Sequence, residues 1–182
     1  IPGLATFRPE EQREPEAVHE LRQALDCVKR VLRGELTFLT LSGPYGTGKS
    51  HLLKAAVLAR KGYYIAAYDF DKRIKQFRKD EADVTHGPYT NPDEWLDRLA
   101  KVPFLAIDDI GAGYIDRGWT QSRFERLVDL RHRSERQTLF STNMDANEFR
   151  REMGERVWDR LWDGLLGEVV ALRHAESIRS LR

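Results

Sequence analysis

The sequence predicts an α/β fold, with a parallel five-stranded sheet covered by helices on both faces. Three observations predict it. Short apolar or β-branched runs alternate with stretches of helical period along the chain, as strand–helix–strand crossovers require. A phosphate-binding motif, Gly43-Pro44-Tyr45-Gly46-Thr47-Gly48-Lys49-Ser50, stands where one apolar run passes into a helical stretch. The remaining polar candidates, Asp108, Asp109 and Asn143, also fall at the ends of apolar runs. Open α/β sheets hold their ligands at those strand ends.

Composition narrows the class. The 182 residues are one domain's worth of chain, long enough to bury a core. Hydrophobic residues make up 41% and charged residues 32%, the balance of a soluble globular protein. No apolar run approaches membrane-spanning length and no signal peptide opens the sequence. The first residue is Ile1 rather than Met, which suggests a piece of a longer protein. The 30 Lys and Arg nearly cancel the 29 Asp and Glu, so any nucleic-acid surface must be a local patch. Cys27 is the lone cysteine, permits no internal disulfide, and fits a reducing, cytoplasmic compartment. The five His are scattered, which argues against a Cys/His metal site.

In chain order, residues 1–15 hold Pro2, Gly3, Pro9 and Pro15 and predict an irregular lead-in. From Glu16 the positions Val18, Leu21, Leu25, Val28 and Leu32 recur at helical spacing up to Gly34. Leu36–Leu41 predicts the first strand, and Lys49–Arg60, free of Gly and Pro, the helix after the motif. Tyr63–Tyr68 predicts a second strand, and residues 70–80 a helix with Phe70, Ile74 and Phe77 on one side. Lys72, Lys75 and Lys79 lie on another side of it. Residues 84–90 predict a loop; Asn91, Pro92 and Glu94 then mark a helix start. Val102–Ile107 predicts a buried strand running into Asp108-Asp109, followed by a flexible loop at Gly111-Ala112-Gly113. A helix from Thr120 turns Phe124, Leu127, Val128 and Arg131 inward. Thr138–Thr142 is the fourth strand, Asn147–Met153 and Glu155–Trp162 are helical, and Val169–Leu172 is the fifth strand.

The motif's residue types have mechanical reasons. Gly43, Gly46 and Gly48 allow backbone N–H groups to turn toward phosphate oxygens, and the following helix adds the positive end of its dipole. Lys49 supplies charge to the β- and γ-phosphates, and Ser50 a hydroxyl for Mg²⁺. An apolar strand ending in two carboxylates fits a Walker B element. Asp108 would then hold Mg²⁺ opposite Ser50, and Asp109 would orient or deprotonate the attacking water. Asn143 could contact the γ-phosphate or that water, although its residue type by itself favours a turn. Arg160 falls off the buried face set by Val157 and Leu161, where it would be free to reach a neighbouring subunit; Arg179 follows the last strand and could return to the phosphates. Among 30 basic residues, position alone singles out neither.

Taken together, these pieces resemble the AAA+ ATPase core of bacterial helicase loaders of the DnaC/DnaI type, and are similar also to IstB and DnaA. Carrying the resemblance are Gly43–Leu53 (with Ser50-His51-Leu52-Leu53 closing the Walker A stretch), Phe104–Gly111, Arg131–Arg133 through Asn143, Gly154–Leu161 and Glu176–Ser180. The resemblance implies that Asn143 is sensor I, Arg160 an arginine finger acting in trans, Arg179 sensor II, and Thr6-Phe7 a lead-in near the adenine. It implies ATP and Mg²⁺, an ATP-dependent homo-oligomer on single-stranded DNA, and no membrane. Residues 70–100 would match the helical insertion of initiators and loaders, and the face with Lys72, Lys75 and Lys79 could meet DNA phosphate. The sequence stops shortly after Arg179, with no C-terminal lid and no helix-turn-helix, which suits a loader better than DnaA. It holds no N-terminal helicase-binding domain either, so docking to the replicative helicase is expected through a region outside this chain, and the stretch Tyr114–Gly118 matches no loader segment.

The expected function is an ATPase, slow in isolation and stimulated by assembly and DNA, that places the replicative helicase on single-stranded DNA. The alternatives are an IstB-type transposition helper acting on duplex DNA, and a nucleotide-switched scaffold with negligible turnover.

Overall fold

The computed structural model describes residues 2–79, 91–111, 118–162 and 166–177, with side chains omitted at Pro2, Arg78 and Lys79. Its frame is a five-stranded sheet in the order β2-β3-β4-β1-β5, every neighbouring pair parallel. The strands are β1 (Phe38–Ser42), β2 (Tyr63–Ala66), β3 (Phe104–Ile110), β4 (Gln137–Thr142) and β5 (Gly167–Ala171). All five residues of β1 are buried, because helices cover both faces.

Helices α1 (Pro2–Ala5), α2 (Pro15–Arg33) and α3 (Lys49–Arg60) build one layer, in which Leu21, Val28, Leu52 and Leu53 meet Leu39 and Leu41 of β1. The opposite layer comprises α4 (Ala67–Lys79), α5 (Pro92–Lys101), α6 (Trp119–Arg133), α7 (Ala146–Met153) and α8 (Glu155–Leu161). There Phe70, Ile74, Phe124, Leu127 and Phe149 surround Phe38 and Phe140.

Local chemistry explains the helix ends. Gly34 closes α2 in the left-handed region at φ 82°; its N–H reaches Val31 O at 3.0 Å, and Glu35 N–H reaches Arg30 O at 3.0 Å. Asn91 caps α5 by accepting from Glu94 N–H at 2.9 Å. Asp145 caps α7 in the same way through Glu148 N–H at 2.8 Å.

Three expectations are corrected. The lead-in is not irregular: α1 and a 3₁₀ turn at Pro9–Glu11 pack it down, burying Leu4, Phe7, Pro9 and Gln12. Gly3 makes this possible, since a Cβ there would stand 2.8 Å from Ala55 Cβ. β2 is shorter than Tyr63–Tyr68, because α4 starts directly at Ala67 and turns Phe70 and Ile74 into the core. β3 does not stop before the carboxylates but runs through Asp108-Asp109 to Ile110, with a register shift against β4 between Ile107 and Ile110. The shift places Asp109 at φ 58°, a bulge conformation unusual for a non-glycine. The expected loops at residues 84–90 and 112–113, the stretch 114–117, and Arg179 lie outside the described residues.

Candidate functional site

The C-terminal ends of β1, β3 and β4 converge on Lys49. Gly48 caps α3 at φ 93° in the left-handed region, so the chain swings from the loop into the helix and carries Lys49 beneath it. Lys49 is 6% exposed, and its ammonium donates to Gly43 O (2.6 Å), Pro44 O (2.6 Å) and Asn143 Oδ1 (2.9 Å). Asn143 Nδ2 donates in turn to Asp109 Oδ1. One amide therefore joins the lysine to the carboxylate, its acceptor spent on one and its donor on the other. Burial lowers the Lys49 pKa to about 8, against the opposing pull of the Asp109 and Asp108 carboxylates.

Asp108 is 4% exposed and accepts two hydroxyls: Ser141 Oγ on Oδ1 and Tyr64 Oη on Oδ2. Ser141 Oγ also accepts from Asp109 N–H at 2.8 Å, which supports the bulge. Burial and the hydrogen bond to Asp108 push the Tyr64 hydroxyl well above its ordinary pKa, so it remains a donor. Sequence reasoning missed Tyr64 and Ser141. Both lie on strands that flank β3 only in the fold; the one local hint was Ser141's place two residues before Asn143.

Within the loop, Thr47 is fully buried and donates to Pro44 O at 3.1 Å, while Pro44, Tyr45, Gly46, Ser50 and His51 face outward. Gly43 and Gly46 have a second reason beyond phosphate approach: a Cβ on Gly43 would collide with Leu172, and one on Gly46 with Ser177. The segment after β5 thus crosses the loop closely. Gln12 ties it down, donating to Glu176 O (3.1 Å) and accepting from Glu176 N–H (2.8 Å). A cavity of about 660 Å³ flanks the loop, lined among others by Gly43, Asn143, Met144, Trp162 and Leu172.

Phe7 is brought to the loop, but its ring is buried and stacks on His51 (5.9 Å between centroids, 25°). His51 Nε2 meets Gly3 O at 2.7 Å, fastening the lead-in to the first turn of α3. Arg160 is not free. Its Nε and Nη2 both donate to Asp129 Oδ1 of α6 at 2.9 Å, because α8 packs beside α6, and Arg133 shares the same carboxylate at 2.8 Å.

The donor set fits magnesium. Ser50 is an exposed hydroxyl, and a carboxylate has about four lone-pair sites, of which Asp108 uses two on hydroxyls. Magnesium commonly takes one or two protein oxygens and completes its shell with phosphate and water. Among the described residues no cluster of three His, Cys, Asp or Glu forms a dedicated metal cage.

No family model matches the sequence. Among curated proteins, the replicative helicase loader DnaC of Escherichia coli strain K12 is 28% identical over 169 residues, covering 87% of this chain and 62% of that protein. DnaC of Buchnera aphidicola subsp. Baizongia pistaciae is 32% identical over 125 residues, covering 66% of this chain and 48% of that protein. Among solved structures, the DnaC helicase loader superposes with a TM-score of 0.70 at 20% identity, covering 92% of this chain and 94% of that one. AMPPCP-bound DnaA from Aquifex aeolicus gives 0.69 at 22% identity, covering 87% of this chain and 48% of that one. The α/β core of this chain resembles those of DnaC-type helicase loaders. The expected parallel five-stranded sheet is the one observed, and its fold matches those structures. This DnaC-like chain spans about 62% of the length of the Escherichia coli relative.

Proposed function

We propose that this chain is the ATP-binding and ATP-hydrolysing module of a DnaC-type loader, which assembles with further copies of itself and places a replicative helicase on single-stranded DNA in the bacterial cytoplasm. The observation that carries the reading is the convergence of Lys49, Asn143 and Asp109 at the loop. ATP's β- and γ-phosphates would replace Gly43 O, Pro44 O and Asn143 Oδ1 as partners of the Lys49 ammonium. Asn143 would then turn its amide to the γ-phosphate or the attacking water. Asp109 would orient that water and accept its proton as the oxygen bonds to the γ-phosphorus and ADP leaves. Magnesium, held by Ser50 and by Asp108 directly or through water, would offset the charge on the β- and γ-oxygens. Arg160 would leave Asp129 to stabilise the transition state in an adjacent copy, and slow turnover of the isolated chain follows from that need. Arg179 would act as sensor II, supported by the close passage of Ser177 over Gly46. Phe7 would bear on the adenine only through His51.

The basic face of α4 supports a DNA contact. Lys72 is exposed, and Tyr68, 55% exposed, lies one turn before it, so a cation and an aromatic ring share the surface. Lys75 is held by Asp71 at 2.8 Å.

The test is fluorescence anisotropy of labelled single- and double-stranded oligonucleotides with an ATP analogue, with ADP and with neither. Single-strand binding that appears only with the ATP analogue supports the loader. Preference for duplex would replace it with a transposition helper of the IstB kind, and binding to neither would leave a nucleotide-switched scaffold.

A further inference from the structure

We propose that Tyr64 is a positioning residue for the magnesium side of the site, forming with Ser141 a two-sided hydroxyl clamp on the Asp108 carboxylate. The inference rests on the magnesium–nucleotide reading above.

Topology makes the clamp two-sided. β3 lies between β2 and β4, so the carboxylate at its end is reached by one hydroxyl from each flanking strand. On β2, Ala66 is the register partner of Asp108, and Tyr64 stands two residues earlier, hence on the same face. From there its hydroxyl reaches along the strand to Oδ2. Its neighbour Tyr63 points to the other face and is 44% exposed. The Tyr64 ring is held by the P-loop helix itself, with Lys54 Nζ 5.1 Å from the ring centroid. Lys54 is one turn beyond Ser50 on α3. The ring therefore touches the helix that carries the hydroxyl ligand, while its own hydroxyl holds the carboxylate ligand.

The choice of donor has a chemical reason. An Arg or Lys against Asp108 would neutralise the carboxylate and compete with a divalent ion. A hydroxyl fixes the carboxylate's rotation without adding charge. With one hydroxyl on each oxygen, Asp108 keeps one lone pair per oxygen in a set direction. Outer-shell donors of this sort change metal affinity by about 10- to 100-fold when removed.

The experiment titrates Mg²⁺ against a fluorescent ATP analogue bound to wild type, Tyr64→Phe, Ser141→Ala and the control Tyr63→Phe, with a parallel affinity in EDTA and a thermal midpoint for each. Tyr64→Phe keeps the ring and removes only the hydroxyl. We expect its Mg²⁺ midpoint to rise about 10- to 100-fold, with EDTA affinity within about twofold of wild type. Ser141→Ala should shift in the same direction and Tyr63→Phe not at all. An unchanged midpoint in Tyr64→Phe, or a loss of the same size in EDTA and in Mg²⁺, overturns the clamp while leaving the nucleotide site intact. Wild-type affinity that is the same in EDTA and Mg²⁺ overturns the metal reading and the clamp with it. If Tyr64→Phe does not fold, Ser141→Ala tests the other half of the clamp, with EDTA affinity controlling for its second bond to Asp109 N–H, and an unchanged Mg²⁺ midpoint overturns the clamp.

Discussion

Two cations are buried at opposite ends of β4, and among the described residues neither makes a direct ion pair. Lys49, beyond the C-terminal end, has three neutral acceptors and sits under an exposed loop. Arg131, beside the N-terminal end, is fully buried and spends all three guanidinium nitrogens. Nε donates to Thr138 Oγ1 (2.8 Å), Nη1 to Leu99 O (2.8 Å), Ala100 O (3.2 Å) and Val102 O (2.8 Å), and Nη2 to Gln137 O (2.7 Å). Burial, with a smaller push from Arg136, lowers the Arg131 pKa to about 9, so it stays charged at neutral pH. The difference lies in whether a better partner can reach the cation. Arg131 binds the C-terminal carbonyls of α5 to the start of β4, and its rigid fork matches a fixed set of acceptors. The flexible lysine stem holds its ammonium on acceptors that a phosphate can replace. A buried cation is structural at one end of the strand and poised for a ligand at the other.

The largest expected effect separates the two on stability. Arg131→Met should cost about 3–5 kcal/mol, because several buried carbonyls lose their donor at once. Urea denaturation measures this, and ATP-analogue affinity of the folded fraction should be unchanged. A loss below about 1 kcal/mol would show that water or neighbours satisfy those carbonyls and would break the contrast.

Arg160 is intermediate, half-buried and held by a carboxylate that it shares with Arg133. Asp129 keeps Arg133 as a partner at 2.8 Å, so its carboxylate is not left unpaired when Arg160 exchanges it for a neighbouring subunit's nucleotide. Arg160→Ala should leave ATP binding intact and lower DNA-stimulated hydrolysis about 1000-fold. Mixing it with Lys49→Ala should restore some activity at shared sites. No recovery in the mixture, with both variants folded and able to assemble, would count against a role in trans.

The parts of this contrast differ in how legible they were in the sequence. The P-loop was visible because its chemistry is local: glycines, lysine and serine at fixed spacing between a strand and a helix. Arg131 was legible as inward-facing because it continues the helical spacing of Phe124, Leu127 and Val128, though its acceptors were not. The packed lead-in was missed because burial of Leu4 and Phe7 depends on α3, reached through Gly3 against Ala55 and Phe7 against His51. Asp129 as the partner of Arg160, and Tyr64 as the partner of Asp108, join residues 31 and 44 positions apart on different elements. No periodicity within one element encodes such a pair. The bulge at Asp109 likewise depends on Ser141 of the next strand.

Lys49→Ala addresses the other end of the comparison. It should weaken ATP-analogue binding about 100-fold, the loss of charge-assisted contacts to phosphate. Unlike Arg131→Met, it should leave the urea midpoint nearly unchanged or raise it, since the wild-type charge is buried without a carboxylate in direct contact. A stability loss as large as that of Arg131→Met would make Lys49 a second structural fastener.

The smallest effect is also the most specific. The folded Lys49 pKa, about 8, lies below its ordinary value of 10.5. Between those values the unfolded chain holds the proton and the folded chain has released it, so this group's contribution to stability rises as pH climbs from about 8 toward 10.5. ATP requires the charged form, so affinity should fall over the same window, by at most about tenfold per pH unit. Binding above pH 8 should therefore be accompanied by proton uptake, seen in calorimetry as heats that vary with buffer ionisation enthalpy. Arg131 titrates nowhere near the ligand, so Arg131→Lys, if folded, should leave this pH dependence of binding untouched. Affinity that stays level from pH 8 to 10 would mean that the ammonium at the P-loop keeps its proton through this window, against the lowering by burial.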